Sequence, residues 1–533
     1  MLGLNFSAPY CGLEGKNLNR AVAFLSGMGF LLFGYDQGVM GGLLTLPAFV
    51  KVFPEMDTIS SHLSEQQKSK NSTLQGAAIA LYEIGCMMGA LSCLYFGDKF
   101  GRRKVIFAGA TVMVVGTILQ TTSFSLAQLI VGRIVTGYGN GFITASVPVW
   151  QSECSRACDR GKLVMLEGTL ITAGIMISYW VDLAFYFTGE SSASWRAPIA
   201  LQVVFAVIIM SSVMSLPESP RWLVRKGQIE EARQVFAALD GVSKDDPSVT
   251  KIIKSVEESL IGSENPHMLD VFKMGKTRNF HRATLGFVSQ CFQQISGINL
   301  ITYYAATIYE NYLHLSPILS RVLAACTGTE FFLASWIGVY TIERFGRRKL
   351  MLFGAVGMCL SMAVLAVAAW AIQPHVGLNS ASAAIAATVF LFVYNSFFGI
   401  GWLGMSWLYS AEIPPLSTRA ASTGISTASN WIFNFLIVLI TPISFQNIGW
   451  RTYIIFAAIN AFIVPVVYIF FPETAGRSLE DLDAIFAKSG WLNVVHNARP
   501  SVTPLESSLK IKDSENTSET SNEKPLEKDG LEQ

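Results

Sequence analysis

Charged residues are scarce in this chain. Asp, Glu, Lys and Arg make up 14% of it, against about 25% in an ordinary soluble domain. That shortfall excludes a free globular domain, because so much apolar surface must face something other than water. Neither sign of charge is in excess: the formal net charge is +1, so no nucleic-acid partner is implied. Cysteine is sparse and unpatterned. The eight, at 11, 86, 93, 154, 158, 291, 326 and 359, form no CxxC pair and no zinc-ligand spacing, so they read as small packing residues and no metal or cofactor is expected. Cys154 and Cys158, one helical turn apart, read as packing or loop positions. No Walker sequence and no nucleophile–base set stands out, and GYGNG lies inside a segment of membrane-crossing length instead of following a soluble strand, so an enzyme is not expected. Residues 1–20 are mixed and polar, without the compact apolar core of a cleavable leader.

Long apolar runs are what the chain has in quantity: 51% of residues are hydrophobic and mean hydropathy is +0.41. A spanning helix needs about 20 mainly apolar residues. Twelve such segments lie near 21–44, 74–96, 104–122, 126–149, 163–187, 197–216, 283–308, 319–341, 350–372, 383–411, 420–442 and 452–471. The expected architecture is an all-α integral membrane protein with twelve transmembrane helices in two pseudo-symmetric six-helix bundles. Residues 1–20 form a cytoplasmic terminus, 21–216 and 281–471 the bundles, 217–280 a cytoplasmic helical insert (GQIEEARQVFAAL), and 472–533 a polar tail, disordered from about 499. Lys and Arg concentrate in GDKFGRRK, SRACDRGK, PRWLVRKG, GKTRNFHR and ERFGRRK, all on one side. The positive-inside rule then puts both termini in the cytoplasm. The 45–73 loop faces outward, which makes Asn71, in Asn71-Ser72-Thr73, a glycosylation candidate; the sequons at Asn5 and Asn516 fall on the wrong side.

The two halves carry matching punctuation. GDKFGRRK (97–104) returns as ERFGRRK (343–349), SECSRACDR (152–160) as AEIPPLSTR (411–419), and PESPRW (217–222) as PETAGR (472–477). Three motifs in one order at near-constant offset indicate internal duplication, with a site near the midplane between the halves. The repeated acids and arginines, Asp98, Arg102, Arg103, Glu153, Arg160 and Glu218 in the first half and Glu343, Arg347, Glu412, Arg419 and Glu473 in the second, read as a cytoplasmic gate of charge-assisted bonds between helix ends. Plain positive-inside anchoring explains the basic residues but not their acidic companions.

In FLLFGYDQGVMGGLL (30–44) one carboxylate, Asp36, sits in a segment built for lipid. An unpaired charge at the bilayer centre costs at least ~3 kcal/mol, so Asp36 needs a partner, a water-filled cavity or a function. Arg133, in span four of the same half, is the evident partner. A static ion pair locking two helices is the alternative to a titrating one. Glu83 and Glu330 are either helix–helix contacts or cavity-lining acids and are the rivals of Asp36 as proton carrier, while Asp182 belongs at the outer interface. QQISGIN supplies Gln293, Gln294 and Asn299, amides that both donate and accept and so suit hydroxyl ligands. Tyr303, Trp407 and Trp431 offer rings for C–H faces. Asn430 and Asn434 add amides, the latter equally suited to interhelical bonding.

GYDQG, GDKFGRRK, GRIVTGYGNG, PVWQSECSRACDRG, PESPRWL, QQISGIN, ERFGRRK and PETAGRSLED together resemble the sugar-porter family of the major facilitator superfamily over roughly 20–485. GYDQG with PVWQSE, LEG and PETAGRSLE further resembles fungal members, the proton-coupled glycerol carriers above all. The resemblance implies alternating access in a plasma membrane by a monomer. It gives the proton to Asp36, with Arg133 its reversible partner, and the solute to Gln293, Gln294, Asn299, Trp407 and Asn430, with Phe33 and Tyr303 closing over it. One departure stands out: many hexose and pentose carriers have Gln where Gly168 aligns, beside Glu167. The expected activity is therefore proton-coupled symport of glycerol or a monosaccharide. A facilitative carrier and a non-transporting sensor are the alternatives, the sensor opposed by a short, plain tail.

Overall fold

The computed structural model describes residues 9–58, 60, 62–155, 160–261, 268–275, 277–373, 380–415, 418–477 and 479–498. The expected disorder beyond about 499 and the sequons at Asn5 and Asn516 lie outside the described residues. Among those described the chain is helical, with no strand. Spans one to six are Gly15–Leu43, Glu65–Phe100, Arg102–Thr121, Leu126–Cys154, Arg160–Tyr186 and Ala193–Val213. Span seven is two pieces, Asn279–Ile295 and Ile298–Thr307. Spans eight and nine are Pro317–Phe345 and Arg347–Ala371. Span ten joins Ser380–Gly401 to Met405–Glu412, and spans eleven and twelve are Arg419–Ile448 and Arg451–Phe470.

Ten of these are long and apolar enough to cross a membrane on their own. The two exceptions are instructive. Span four is diluted by Arg133, Asn140 and four glycines, and buries them against its neighbours. Span seven breaks at Gly297, where φ is +104°, so neither piece is long enough alone. Polar caps start the helices: Ser64 and Gln67 form a reciprocal capping box ahead of span two, and Ser125 accepts from Gln128 N ahead of span four.

Three shorter helices, Pro220–Arg225, Ile229–Asp240 and Pro247–Ile261, fill the segment between the halves. They are tied to span one by Asn19, whose amide donates to Leu239 O at 2.8 Å. After span twelve, the helix Leu479–Lys488 returns to the start of span seven. Arg282 binds the Asp483 carboxylate there, and the His281 ring lies 3.8 Å from that of Trp491. Asn71 sits inside span two, its amide donating to Asp57 O at 2.7 Å, so a glycan on it would have to displace that bond.

The duplication is most exact at the end of the molecule bearing Arg102 and Arg347. Gly101 and Gly346 separate spans two from three and eight from nine with φ of +88° and +84° and ψ of 169° and 170°, a region almost confined to glycine. A Cβ at either would lie 2.6 or 2.5 Å from a carboxylate oxygen of Glu218 or Glu473. Gly101→Ala and Gly346→Ala should each destabilise this end by about 1–3 kcal/mol. The purified variants should therefore melt lower than wild type, while Gly97→Ala, whose Cβ would meet nothing within 4 Å, should not. Equal melting of all three would refute this.

Candidate functional site: a polar cavity beside a buried ion pair

Between the halves lies a cavity of about 40 Å³, lined by Phe33, Gln37, Ile171, Ile175, Gln293, Gln294, Ile298, Asn299, Thr302, Phe331, Phe398, Leu403, Trp407 and Asn430. No charged side chain lines it. The first piece of span seven and span eleven supply amides that hold one another in place. Asn430 Nδ2 donates to Gln290 Oε1 at 2.7 Å and Gln293 Oε1 at 2.8 Å. Gln293 Nε2 in turn donates to the carbonyls of Leu403 and Trp402, at 2.8 and 3.2 Å, where span ten unwinds. Asn299, just past the Gly297 break, donates to Gln294 Oε1, and to Asn434 Oδ1 at 2.7 Å. Such a set is pre-oriented and offers both donors and acceptors.

Six of the eight residues proposed for solute binding therefore share this cavity. Tyr303 and Trp431 stand outside its lining, each one position along a helix from a lining residue and so turned by about 100°. Trp431 is fully buried and meets the edge of Phe33, ring centroids 5.3 Å apart. Tyr303 hydroxyl donates to Glu83 of the opposite half. Gly168 faces the unwound part of span ten: a Cβ there would lie 3.3 Å from Gly404 Cα and 3.5 Å from a Leu403 side-chain carbon. The place of the missing Gln is thus filled by backbone from the other half. Glu167, beside it, is buried with one carboxylate oxygen unpartnered. Glu330 accepts from the Ser396 hydroxyl, joining spans eight and ten outside the cavity.

Asp36 and Arg133 are brought together, both fully buried, with Nη1 4.0 Å from Oδ1. Asp36 precedes Gln37 of the cavity wall. Gln202 Nε2 donates to Asp36 Oδ1 at 3.0 Å and is itself held by Thr117. Arg133 Nη2 donates to Ile79 O at 3.3 Å, and its guanidinium lies 4.8 Å from the Tyr82 ring centroid. Asp36 Oδ2, Arg133 Nη1 and Arg133 Nε have no hydrogen-bond partner.

The gate candidates form two matching networks. Arg102 bonds Glu153 at 3.1 Å and Asp98 at 3.5 Å; Arg347 bonds Glu412 at 2.9 Å and Glu343 at 3.3 Å. Glu218 caps span three, accepting from the backbone N–H of Arg102 at 3.0 Å and Arg103 at 3.2 Å. Glu473 caps span nine through Arg347 N at 2.8 Å and Arg348 N at 3.1 Å. Burial pushes the Glu218 carboxyl up, opposed by these N–H donors. Arg103 donates to Met214 O and its counterpart Arg348 to Tyr468 O. Arg419 donates to Pro414 O at 3.3 Å; the Arg160 side chain lies outside the described residues. The bonds of Arg102 and Arg347 thus stay within their own halves, so they hold each half together instead of bridging the two.

Contacts between halves lie on both sides of the cavity. Toward the basic end, Met165 and Gly168 meet Gly404. Toward the far end, Tyr179 hydroxyl donates to Thr302 O, Tyr303 to Glu83, and Arg321 Nη2 to Thr45 Oγ1 at 2.6 Å. Gln202, Gln290, Gln37 and Thr302 were not singled out from sequence. Gln202 had a signal, being the one amide ahead of the run VVFAVIIM.

The family profile "Sugar (and other) transporter" matches residues 22–486. The chain belongs to the sugar transporter family. Sugar transporter STL1 of Saccharomyces cerevisiae is 37% identical over 485 residues, covering 90% of this chain and 83% of that protein. Major facilitator superfamily transporter mfsA of Aspergillus fumigatus is 38% identical over 485 residues, covering 90% and 88%. Among solved structures, the XylE proton:xylose symporter bound to 6-bromo-6-deoxy-D-glucose superposes with a TM-score of 0.73 at 24% identity, over 88% of this chain and 99% of that one. The fold is that of the major facilitator superfamily, and the twelve spans agree with it. This sugar transporter is a multi-pass membrane carrier, not an enzyme.

Proposed function

We propose that this sugar transporter moves a small neutral polyhydroxyl solute into the cytoplasm of a fungal cell together with a proton, across the plasma membrane. The cavity would open alternately to either side, with the Arg102/Arg347 end cytoplasmic, as the Lys/Arg distribution supports. The carrying observation is the buried pair beside the cavity: Asp36 and Arg133 stand 4.0 Å apart with three polar atoms unpartnered. An ion pair kept only to lock helices gains most when every hydrogen bond is made. A loose one can exchange its proton with water that enters as the halves move. The relative XylE is named a proton:xylose symporter, which agrees with this reading.

Gln293, Gln294, Asn299 and Asn430 would bond solute hydroxyls, with Phe33 and Trp407 covering C–H faces. The space facing Gly168, where many hexose and pentose carriers have Gln, is filled by backbone from the other half, which favours glycerol over a hexose. The test is uptake of labelled glycerol, glucose and xylose by a yeast lacking its own carriers, at two pH values, with and without an uncoupler. Uphill glycerol uptake that alkalinises the medium and collapses with uncoupler is expected. Uptake that never passes an inside-to-outside ratio of one would favour the facilitative reading and defeat symport.

A further inference from the structure

Besides Asp36, a second acid lies within electrostatic reach of the buried arginine. Glu83, in span two, is fully buried. Oε1 accepts from the Tyr303 hydroxyl of span seven, and Oε2 has no partner. The titratable and charged groups facing it are Tyr82 and Cys86 on its own helix, Asp36 from span one, Arg133 from span four and Tyr303 from span seven. Arg133 is the one cation of this group, and there are two carboxyls. In a low-dielectric interior, net charge is expensive and a group neutralises instead. Two carboxyls and one guanidinium are neutral only with one proton aboard.

The hydrogen bonds distinguish the two acids. Asp36 has the guanidinium at 4.0 Å and the Gln202 amide at 3.0 Å on the same oxygen, both of which favour its ionised form. Each acid has one bare oxygen, but Glu83 has a single hydroxyl donor and, among the described residues, no guanidinium at ion-pair distance. We propose that Glu83 is a second proton-holding group of the carrier, and that in this closed arrangement it holds the proton while Asp36 is paired with Arg133. This rests on the symport reading above and adds where the proton sits. The bond to Tyr303 gives that proton a mechanical consequence. Tyr303 lies on the piece of span seven beyond the Gly297 break, beside Thr302, which lines the cavity and accepts from Tyr179 of the first half. Withdrawal of this piece would open the far end and expose Glu83 to water. Its return would bury the acid, which is neutral only if it has taken up a proton. No covalent step is involved: the proton comes from water on the far side and leaves to water on the other.

The test uses the full-length carrier in energised cells and in proteoliposomes, following protons and labelled glycerol together. Glu83→Gln keeps an acceptor for Tyr303 but cannot titrate. The proton-to-solute ratio should fall at least fivefold while solute exchange without a gradient persists. A wild-type ratio in Glu83→Gln overturns the proposal, since a merely structural acceptor would be replaced without loss. Should Glu83→Gln fail to fold, Tyr303→Phe decides. Loss of a hydroxyl donor raises an acid's proton affinity, so the midpoint of uptake against external pH should move upward; an unmoved midpoint overturns the proposal. If the wild-type carrier itself takes up solute without alkalinisation, the symport reading fails, and this assignment with it. A coupled wild type with an unaffected Glu83→Gln removes only the role of Glu83.

Discussion

Asp36→Asn is expected to bring the accumulation ratio of solute down to about one while downhill exchange persists. A proton entering across about 100 mV contributes about 2.3 kcal/mol, roughly fifty-fold in concentration ratio, and the variant should lose all of it. Asparagine keeps the size of the side chain and an oxygen for the Gln202 amide, which now donates to Asp36 at 3.0 Å, so the helix packing should survive. What disappears is the charge. Arg133 is then left with Glu83 as the buried acid nearest to it in kind, and one acid with one guanidinium is neutral without a proton. The carrier can still cycle, but empty of the ion that would drive it. Labelled solute in energised cells, with and without uncoupler, and external pH recorded in parallel, measure both quantities. A wild-type accumulation ratio in Asp36→Asn would remove Asp36 from the coupling.

The parts of the molecule written in local pattern were legible from the sequence. Twelve apolar runs marked twelve helices, and the repeated GRRK and PES/PET motifs marked the two ends where Glu218 and Glu473 meet the next arginines. Even so, the motifs suggested arginine–acid pairing alone. They did not indicate that Glu218 and Glu473 accept backbone N–H groups and so cap spans three and nine. The break in span seven was present as the Ser-Gly of QQISGIN, yet inside a lipid-length run it read as continuous helix. Polar positions on a face were harder still. Thr302 lines the cavity and Tyr303 does not, because one residue turns a side chain by about 100°, and hydropathy does not fix the rotation of a helix apolar on most sides. Gln290 and Gln202 escaped notice because their partners, Asn430 and Asp36, lie 140 and 166 residues away. Periodicity carries no information about such pairings.

Arg347→Ala should have the largest effect among the basic-end variants. The arginine side chain is 5% exposed and binds Glu412, itself 24% exposed, and the half-exposed Glu343. Removing one partner of a buried pair leaves a charge without compensation, at a cost of up to about 3–5 kcal/mol. Here the Thr474 hydroxyl still donates to Glu412 at 2.7 Å, so the lower part of that range is expected. The purified variant should melt lower and transport poorly. Arg348→Ala should be milder, since Arg348 donates to the Tyr468 carbonyl at 2.6 Å and leaves no carboxylate stranded. Adding Glu412→Gln to Arg347→Ala removes the stranded charge and should recover part of the loss, a coupling that a double-mutant cycle measures. Strictly additive losses, or an Arg347→Ala no worse than Arg348→Ala, would show that the network is solvated anchoring and nothing more. The distinction bears on how the carrier moves. Arg347 joins the ends of spans eight, nine and ten, and through Glu473 the segment after span twelve; Arg102 does the same in the first half. Each half is thus braced within itself, while the halves pack span two against span eleven and span five against span eight, close enough that a Cβ at Gly76 would meet Leu439 O and one at Gly328 would meet Met176, with hydrogen bonds added at the far end. Rigid halves that meet along these two helix pairs can rock about the cavity without repacking their own helices.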